Sequence, residues 1–293
     1  STGFDLNRDR TRSLLGFDSL MENSMDAVSS RDFLIETAAV LANIMINLSK
    51  MAEEIVIWSS TEFSFIELDD MYASTSSIMP QKKNPDTAEL MRGKSGVAVG
   101  SLMTLLTICK GLPLSYNRDL QEATPNIWRS VETARSAVRI MKGMIGTMKV
   151  NADAMYLQST TGFTTATELA DTMVRVADIP FRTAHQIVGV LARGDGNPSL
   201  EDIDAVASDV IGEKLSERGL TAVMVSEALD PLLNIKKRSI VGGPSPEEIG
   251  RAIEKRRAEL GDEVSVVSGL NRVIENSLEE LFAVVDENIN SEK

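Results

Sequence analysis

Residues 30–59, SRDFLIETAAVLANIMINLSKMAEEIVIWS, contain neither Gly nor Pro and decide the fold class. Leu34, Thr37, Leu41, Ile44, Leu48, Met51, Ile55 and Trp58 recur at alternating spacings of three and four. That period puts them on one stripe of a helix and predicts a bundle seam rather than a strand. At the helical rise the segment would extend roughly 40 Å. A second line, Ala38, Met45 and Ala52, flanks the first. A helix apolar over so wide a face is expected to be covered by more than one neighbour.

The same reading extends outward. Residues 61–85 are rich in breakers and too polar for a helix interior. A second helix is expected from Asp86 to about Lys110, with Ala88, Met91, Ser95, Ala98, Leu102, Leu105 and Cys109 on its seam. Its middle is small (Gly93, Ser95, Gly96, Ala98, Gly100, Ser101), which lets backbones approach closely. A third helix is expected from near Pro125, a residue suited to a first turn, with Val131, Ala134, Val138, Met141, Ile145 and Met148 inward. The stretch from Arg10 to about Lys149 thus reads as long bundle helices. Beyond Tyr156 the pattern shortens: Thr165–Ala177, Phe181–Ala192, Ser199–Val206 and Thr221–Ala228, punctuated by Pro180, Asn197-Pro198, Pro231 and Gly242-Gly243-Pro244. Pro246 starts another helix, 264–285 is amphipathic, and the polar tail 286–293 is expected to fray. The expected class is all-α: a long-helix bundle over 1–155 followed by a smaller helical domain over 156–293.

Composition narrows the function classes. The chain has 293 residues, 43% hydrophobic, with 14 Met and only 4% aromatics, a helix-favouring mixture. A net charge of −13 gives no general attraction for nucleic acid or anionic membranes. It leaves room for an anionic substrate held by a few local cations. A single cysteine, Cys109, forbids an internal disulfide and fits a reducing, cytoplasmic setting. No uninterrupted apolar run reaches the ~20 residues of a membrane span, and no signal peptide is read at the start. The opening Ser1-Thr2-Gly3-Phe4 lacks an initiator Met and suggests a fragment or processed chain. No metal-ligand cluster, nucleotide loop or cofactor motif is found, so neither metal nor cofactor is expected.

The run that carries chemistry is Ser74-Thr75-Ser76-Ser77-Ile78-Met79-Pro80-Gln81-Lys82-Lys83-Asn84-Pro85-Asp86. Hydroxyls, two lysines and an asparagine lead straight into a helix whose N-terminus attracts anions. Such a run could hold a carboxylate or stabilise a serine oxyanion; a solvated loop with a capped helix start is the plain alternative. Residues 76–85 resemble the signature of the fumarase/aspartase superfamily, Gly-Ser-Ser-x-Met-Pro-x-Lys-x-Asn, with Thr75 where that pattern has Gly. The form Gln81-Lys82-Lys83-Asn84-Pro85-Asp86 and the block Lys110–Glu122 resemble argininosuccinate lyases in particular. So do residues 23–33, Met51-Ala52-Glu53-Glu54 and, more weakly, Pro180–His185.

That resemblance implies elimination of fumarate from argininosuccinate to leave arginine, by a homotetramer whose sites draw on three subunits. It implies that Ser76 is the catalytic serine, with Lys82 favouring its oxyanion, and that Glu89 pairs with a catalytic histidine. Asn84, Tyr116 and Gln121 would contact substrate, and Arg31 would bind a carboxylate or sit in a salt bridge. Thr124 stands where many members have Lys. The family's histidine lies upstream of Ser1, and His185, the only histidine here, reads as structural. This chain alone is therefore expected to leave the active site incomplete. The competing readings are adenylosuccinate lyase, a catalytically silent protein of the δ-crystallin kind, and a plain helical oligomerisation module. The module gives no reason for the Ser76–Asn84 loop.

Overall fold

The computed structural model describes residues 2–79, 81–194 and 196–291. It is all-α, with four two-residue strands among the described residues. The chain divides into two compact units, one of Ser1–Asn151 with Ser268–Lys293 and one of Ala152–Val267.

Three long helices form the first unit's core: α3 (Asp32–Trp58), α4 (Asp86–Cys109) and α5 (Ala123–Thr147), each packed against the other two. All begin and end within about two residues of the expectation from spacing. The inward faces are a finer matter. On α3 the buried residues are Ala38, Ala42, Met45, Ala52 and Ile55, so the flanking small line faces the bundle. Thr37, Ile44 and Met51 of the larger stripe are exposed. On α5 the buried seam runs Ala123, Ile127, Ser130, Ala134, Ala137, Met141 and Met144, while Val138 and Ile145 stay exposed. On α3 the small side chains let helix axes approach, and the larger stripe is left on the outside of a single chain; on α5 the buried seam is displaced by one position, to Ala137 and Met144. The seam expected on α4 is the one observed, with Ala88, Met91, Ala98 and Leu105 buried. Gly93, Gly96 and Gly100 on that helix meet nothing within 4 Å of a β-carbon position.

By length and composition the stretch Ser24–Trp58, which includes α3, could cross a membrane. Here α3 packs against α4 and α5 and is charged at Asp32, Glu36, Lys50, Glu53 and Glu54, with Glu53 bonded to Arg92 of α4 at 2.6 Å.

The N-terminal segment departs from the expectation of long helices from Arg10. It forms two short ones, α1 (Arg8–Leu14) and α2 (Ser24–Ser29), with the Asn7 and Asn23 side chains accepting from first-turn amides. Gly16, at φ 72°, turns the chain where an added β-carbon would lie 2.7 Å from Ser277 Oγ. Two antiparallel ribbons join segments at the ends of the long helices. β1 (Ile66–Glu67) pairs with β4 (Lys149–Val150), and β2 (Ser74–Thr75) pairs with β3 (Lys83–Asn84).

The second unit contains α6 (Ala152–Ser159), α7 (Ala166–Ala177), α8 (Phe181–Leu191), α9 (Leu200–Ile211), α10 (Ala222–Leu229) and α11 (Pro231–Lys237). Its core includes Leu169, Met173, Ile187, Ile203, Leu215 and Leu220, all essentially inaccessible. The α9 start is a capping box, with Ser199 and Asp202 bonded reciprocally. That box lowers the Asp202 carboxyl pKa, chiefly through the Ser199 amide. α11 forms where Pro231 suggested a break: proline occupies the first turn and Asp230 caps it through the amides of Leu232 and Leu233. The last helix, α12 (Pro246–Ser291), is continuous over 46 residues. It carries through the tail expected to fray, whose last two residues, Glu292 and Lys293, lie outside the described ones.

Candidate functional site

The signature run is a hairpin rather than an unstructured loop. β2 and β3 pair with Ser74 opposite Asn84 and Thr75 opposite Lys83. Just beyond them the Ser76 amide donates to the Lys82 carbonyl at 3.0 Å, and the Lys82 amide donates to the Met79 carbonyl at 2.9 Å. Pro80 of the signature lies outside the described residues. The half-buried Ser76 hydroxyl oxygen accepts from the amides of Ile78 at 3.3 Å and Met79 at 3.2 Å. Two backbone donors aimed at one hydroxyl oxygen favour its anionic form, the arrangement a serine needs to act as a base.

Lys83 anchors the returning strand. Its ammonium lies 2.6 Å from an Asp70 carboxylate oxygen and 3.2 Å from one of Glu67. The bond to Asp70 raises the Lys83 pKa, and the same bond lowers that of Asp70. At the hairpin's foot, Pro85 leads into α4, and Asp86 and Glu89 occupy its first turn, where carboxylates are favoured by the helix dipole.

Lys82, Asn84 and Glu89 converge on one open cleft of about 880 Å³, which Gln81, Lys83 and Lys149 also line. Ser59, Ser60, Glu62 and Glu67 form further parts of its wall. Lys83 is engaged by its two carboxylates; Lys82 and Lys149 form no ion pair among the described residues. The cleft can therefore offer the Lys82 and Lys149 ammonium groups and the Gln81 and Asn84 amides to a small ligand, alongside the carboxylates of Glu62 and Glu89. Ser76 does not line it, and is joined to it through the backbone bond to Lys82.

The remaining expected residues are not gathered there. Gln121 Nε2 donates to the Tyr116 hydroxyl at 2.9 Å, an exposed pair in the segment between α4 and α5. Ser115 beside it holds a φ of 75°. Arg31 donates to the carbonyls of Val28 at 3.1 Å and Ser30 at 2.6 Å, in a separate apolar cavity of about 540 Å³ shared with Phe33, Thr124 and Trp128. His185 is exposed on α8, with its ring 6.2 Å from that of Phe181. Sequence reading missed Lys149, Glu67 and Asp70. They flank the site only because the β1–β4 ribbon and the turn Asp70–Tyr72 fold beside the hairpin, and no local periodicity announces that.

A lyase family profile matches residues 2–100, and a profile for the C-terminal part of argininosuccinate lyases matches residues 163–231. The chain is 70% identical, over 286 residues, to the argininosuccinate lyase of Methanococcoides burtonii, and 68% identical over 287 residues to that of Methanosarcina acetivorans. Each alignment covers 98% of this chain and 58% of the relative, so the chain spans little more than half the length of the curated relatives it matches. Among solved structures, that of EDDS lyase in complex with formate is similar at a TM-score of 0.90 and 32% identity, over 99% of this chain and 59% of that one. A class II fumarase from Schistosoma mansoni, at 16% identity and a TM-score of 0.55 over 75% of this chain and 46% of that one, shares the fold.

Proposed function

The chain belongs to the argininosuccinate lyase family, and from that premise we propose that it supplies the helical core and the serine hairpin of an enzyme that eliminates fumarate from argininosuccinate, leaving arginine. The observation that carries this reading is the convergence of Lys82, Asn84 and Glu89 on one cleft beside a serine whose oxygen faces two amide donors.

The reaction removes a proton from the carbon next to a carboxylate and then expels a guanidinium nitrogen. Ser76 takes the proton as its oxyanion and becomes the neutral hydroxyl; the Ile78 and Met79 amides donate to that oxygen and favour the anionic form. The Lys82 ammonium favours the Ser76 oxyanion, and the Asn84 amide contacts the substrate. Glu89, at the start of α4, holds the partner acid in its charged form. Tyr116 and Gln121, already bonded to each other, and Arg31 are read as contacts supplied to the site of a neighbouring copy. Their absence from the cleft lining is consistent with a site shared between subunits of a homotetramer. That assembly is supported by the exposed apolar faces of α3, α4 and α5 and by the open glycine stripe of α4. A cytoplasmic location fits the single free cysteine.

The test is fumarate release, followed by its ultraviolet absorbance, in the protein that carries this chain. Argininosuccinate is expected to yield fumarate, and Ser76→Ala to lower kcat by at least ~100-fold while helicity and melting temperature hold. Acceptance of adenylosuccinate in place of argininosuccinate would sink the substrate assignment. A variant as active as the parent would sink the role of Ser76.

A further inference from the structure

The foot of the signature hairpin is fixed by a contact that no part of the signature encodes. Tyr72 lies two residues before β2, and Thr87 three residues after β3. Thr87 Oγ1 donates to the Tyr72 carbonyl at 2.5 Å and lies 3.2 Å from Met144 Sδ of α5, so both strands are tied together where they enter and leave. The Tyr72 ring then reaches α5 at Gly143. A β-carbon added there would fall 1.9 Å from the phenol oxygen and 2.3 Å from Cζ. Those distances are far inside van der Waals contact, so the ring occupies space that exists only because residue 143 has no side chain.

A glycine inside a helix weakens it relative to alanine, so its presence in α5 calls for a compensating contact. Gly146, three residues on in the same helix, is a built-in comparison: a β-carbon there meets nothing within 4 Å.

We propose that Gly143 is a positioning residue: the notch it leaves seats Tyr72 and thereby fixes the serine hairpin relative to α5. The proposal rests on the reading of the hairpin as catalytic, but its structural half can be tested separately. With an alanine at 143 the ring must leave the notch. Tyr72 is covalently continuous with β2, and its carbonyl is bonded to Thr87 at the base of β3. Displacing it therefore moves both strands and swings Ser76 and Lys82 with them. A shift of about 1 Å in a reacting group is enough to cost a catalysed step on the order of 100-fold.

The experiment compares Gly143→Ala, Gly146→Ala, Tyr72→Leu and the double variant Gly143→Ala/Tyr72→Leu in the protein that carries this chain. Each is examined by amide hydrogen exchange and by steady-state fumarate release. In Gly143→Ala, peptides spanning 74–84 are expected to lose protection while those of α4 and α5 keep it. Its kcat is expected to fall on the order of 100-fold with KM changing much less. Gly146→Ala is expected to match the parent in both assays. Tyr72→Leu empties the notch without inserting an atom, and should loosen the same segment even if Gly143→Ala fails to fold. The double variant should be no worse than Tyr72→Leu alone, because the clash is gone. Gly143→Ala behaving like Gly146→Ala would overturn the proposal. So would effects that add in the double variant, or protection lost evenly through α4 and α5, which would make Gly143 a bundle residue and not a seat for the hairpin. Absence of fumarate release from the parent would refute the lyase reading and leave the exchange comparison to decide the seat.

Discussion

Ser130 offers a sharp test of how the bundle is built, because its replacement should stabilise the protein. It lies in the middle of the buried α5 seam, between Ile127 and Ala134, and is wholly inaccessible. Its hydroxyl oxygen has no hydrogen-bond partner among the described residues. A buried polar group without a partner costs about 1–3 kcal/mol. Alanine is also the better helix former, by about 0.5 kcal/mol. Against these stands the loss of one small atom's packing, so Ser130→Ala should gain about 1–2 kcal/mol net. For units of this size each kcal/mol moves the melting temperature by roughly 2–4 °C, which predicts a rise of about 2–8 °C.

Ser95→Ala separates the causes. Ser95, half-buried on α4, donates to the Arg92 carbonyl at 2.6 Å. It shares the propensity gain but forfeits a made bond worth about 1 kcal/mol, so its net change should lie near zero. Both variants are melted by far-ultraviolet circular dichroism at matched protein concentration, since any association shifts the apparent midpoint. A Ser130→Ala protein that melts at or below the parent temperature would refute the reasoning and mean that the hydroxyl is satisfied.

The other predictions are simpler. Lys82→Met should lower kcat/KM by about 100-fold at unchanged melting temperature, as expected for loss of an electrostatic contact to the reacting group. Lys83→Met should instead expose the hairpin amides to hydrogen exchange, because it removes the ion pairs to Asp70 and Glu67. Identical behaviour of the two would refute their division of labour. Glu248 is held at a pKa of about 2 against an ordinary 4.5, first by its bonds to Arg251 and then by the Gly242 amide. Its folded-state pKa is depressed, so its stabilising contribution is complete above 4.5 and is lost as pH falls towards 2. Glu248→Gln should flatten that acid limb in a melting series across this range. Met173→Ala, in the inaccessible core of the second unit, should cost about 2–5 kcal/mol, read as a lowered melting temperature of that unit.

The parts of the fold that were legible in sequence are those with a long enough period. α3, α4 and α5 each repeat their apolar spacing over several turns, and their bounds follow closely. Periodicity alone could not say which of two apolar stripes turns inward. On α3 the answer came from side-chain size, because the small residues permit the close approach; on α5 the seam lies one position away at Ala137 and Met144. The hairpin was illegible because two-residue strands show no alternation, and its strands are specified by tertiary bonds instead. α11 was hidden because proline signals a stop or a first turn equally well until the Asp230 cap is seen. Within the site, Lys82, Asn84 and Glu89 were legible because one short run delivers all three to one cleft. Lys149 was not, because it arrives from a strand that follows α5.

That strand has a kinetic meaning as well. β1 and β4 match Ile66 with Val150 and Glu67 with Lys149, closing a loop that holds the hairpin and both following helices. The entropy of joining chain ends so far apart must be met before the few ribbon bonds form. Once α4 and α5 have docked, the ends are already near one another and little closure cost remains. The ribbon is thus expected to set after the bundle, as a latch on helices already docked. Its opening would part Lys149 and Val150 from Ile66 and Glu67, which together form one wall of the cleft, a sub-global fluctuation that leaves the three long helices packed.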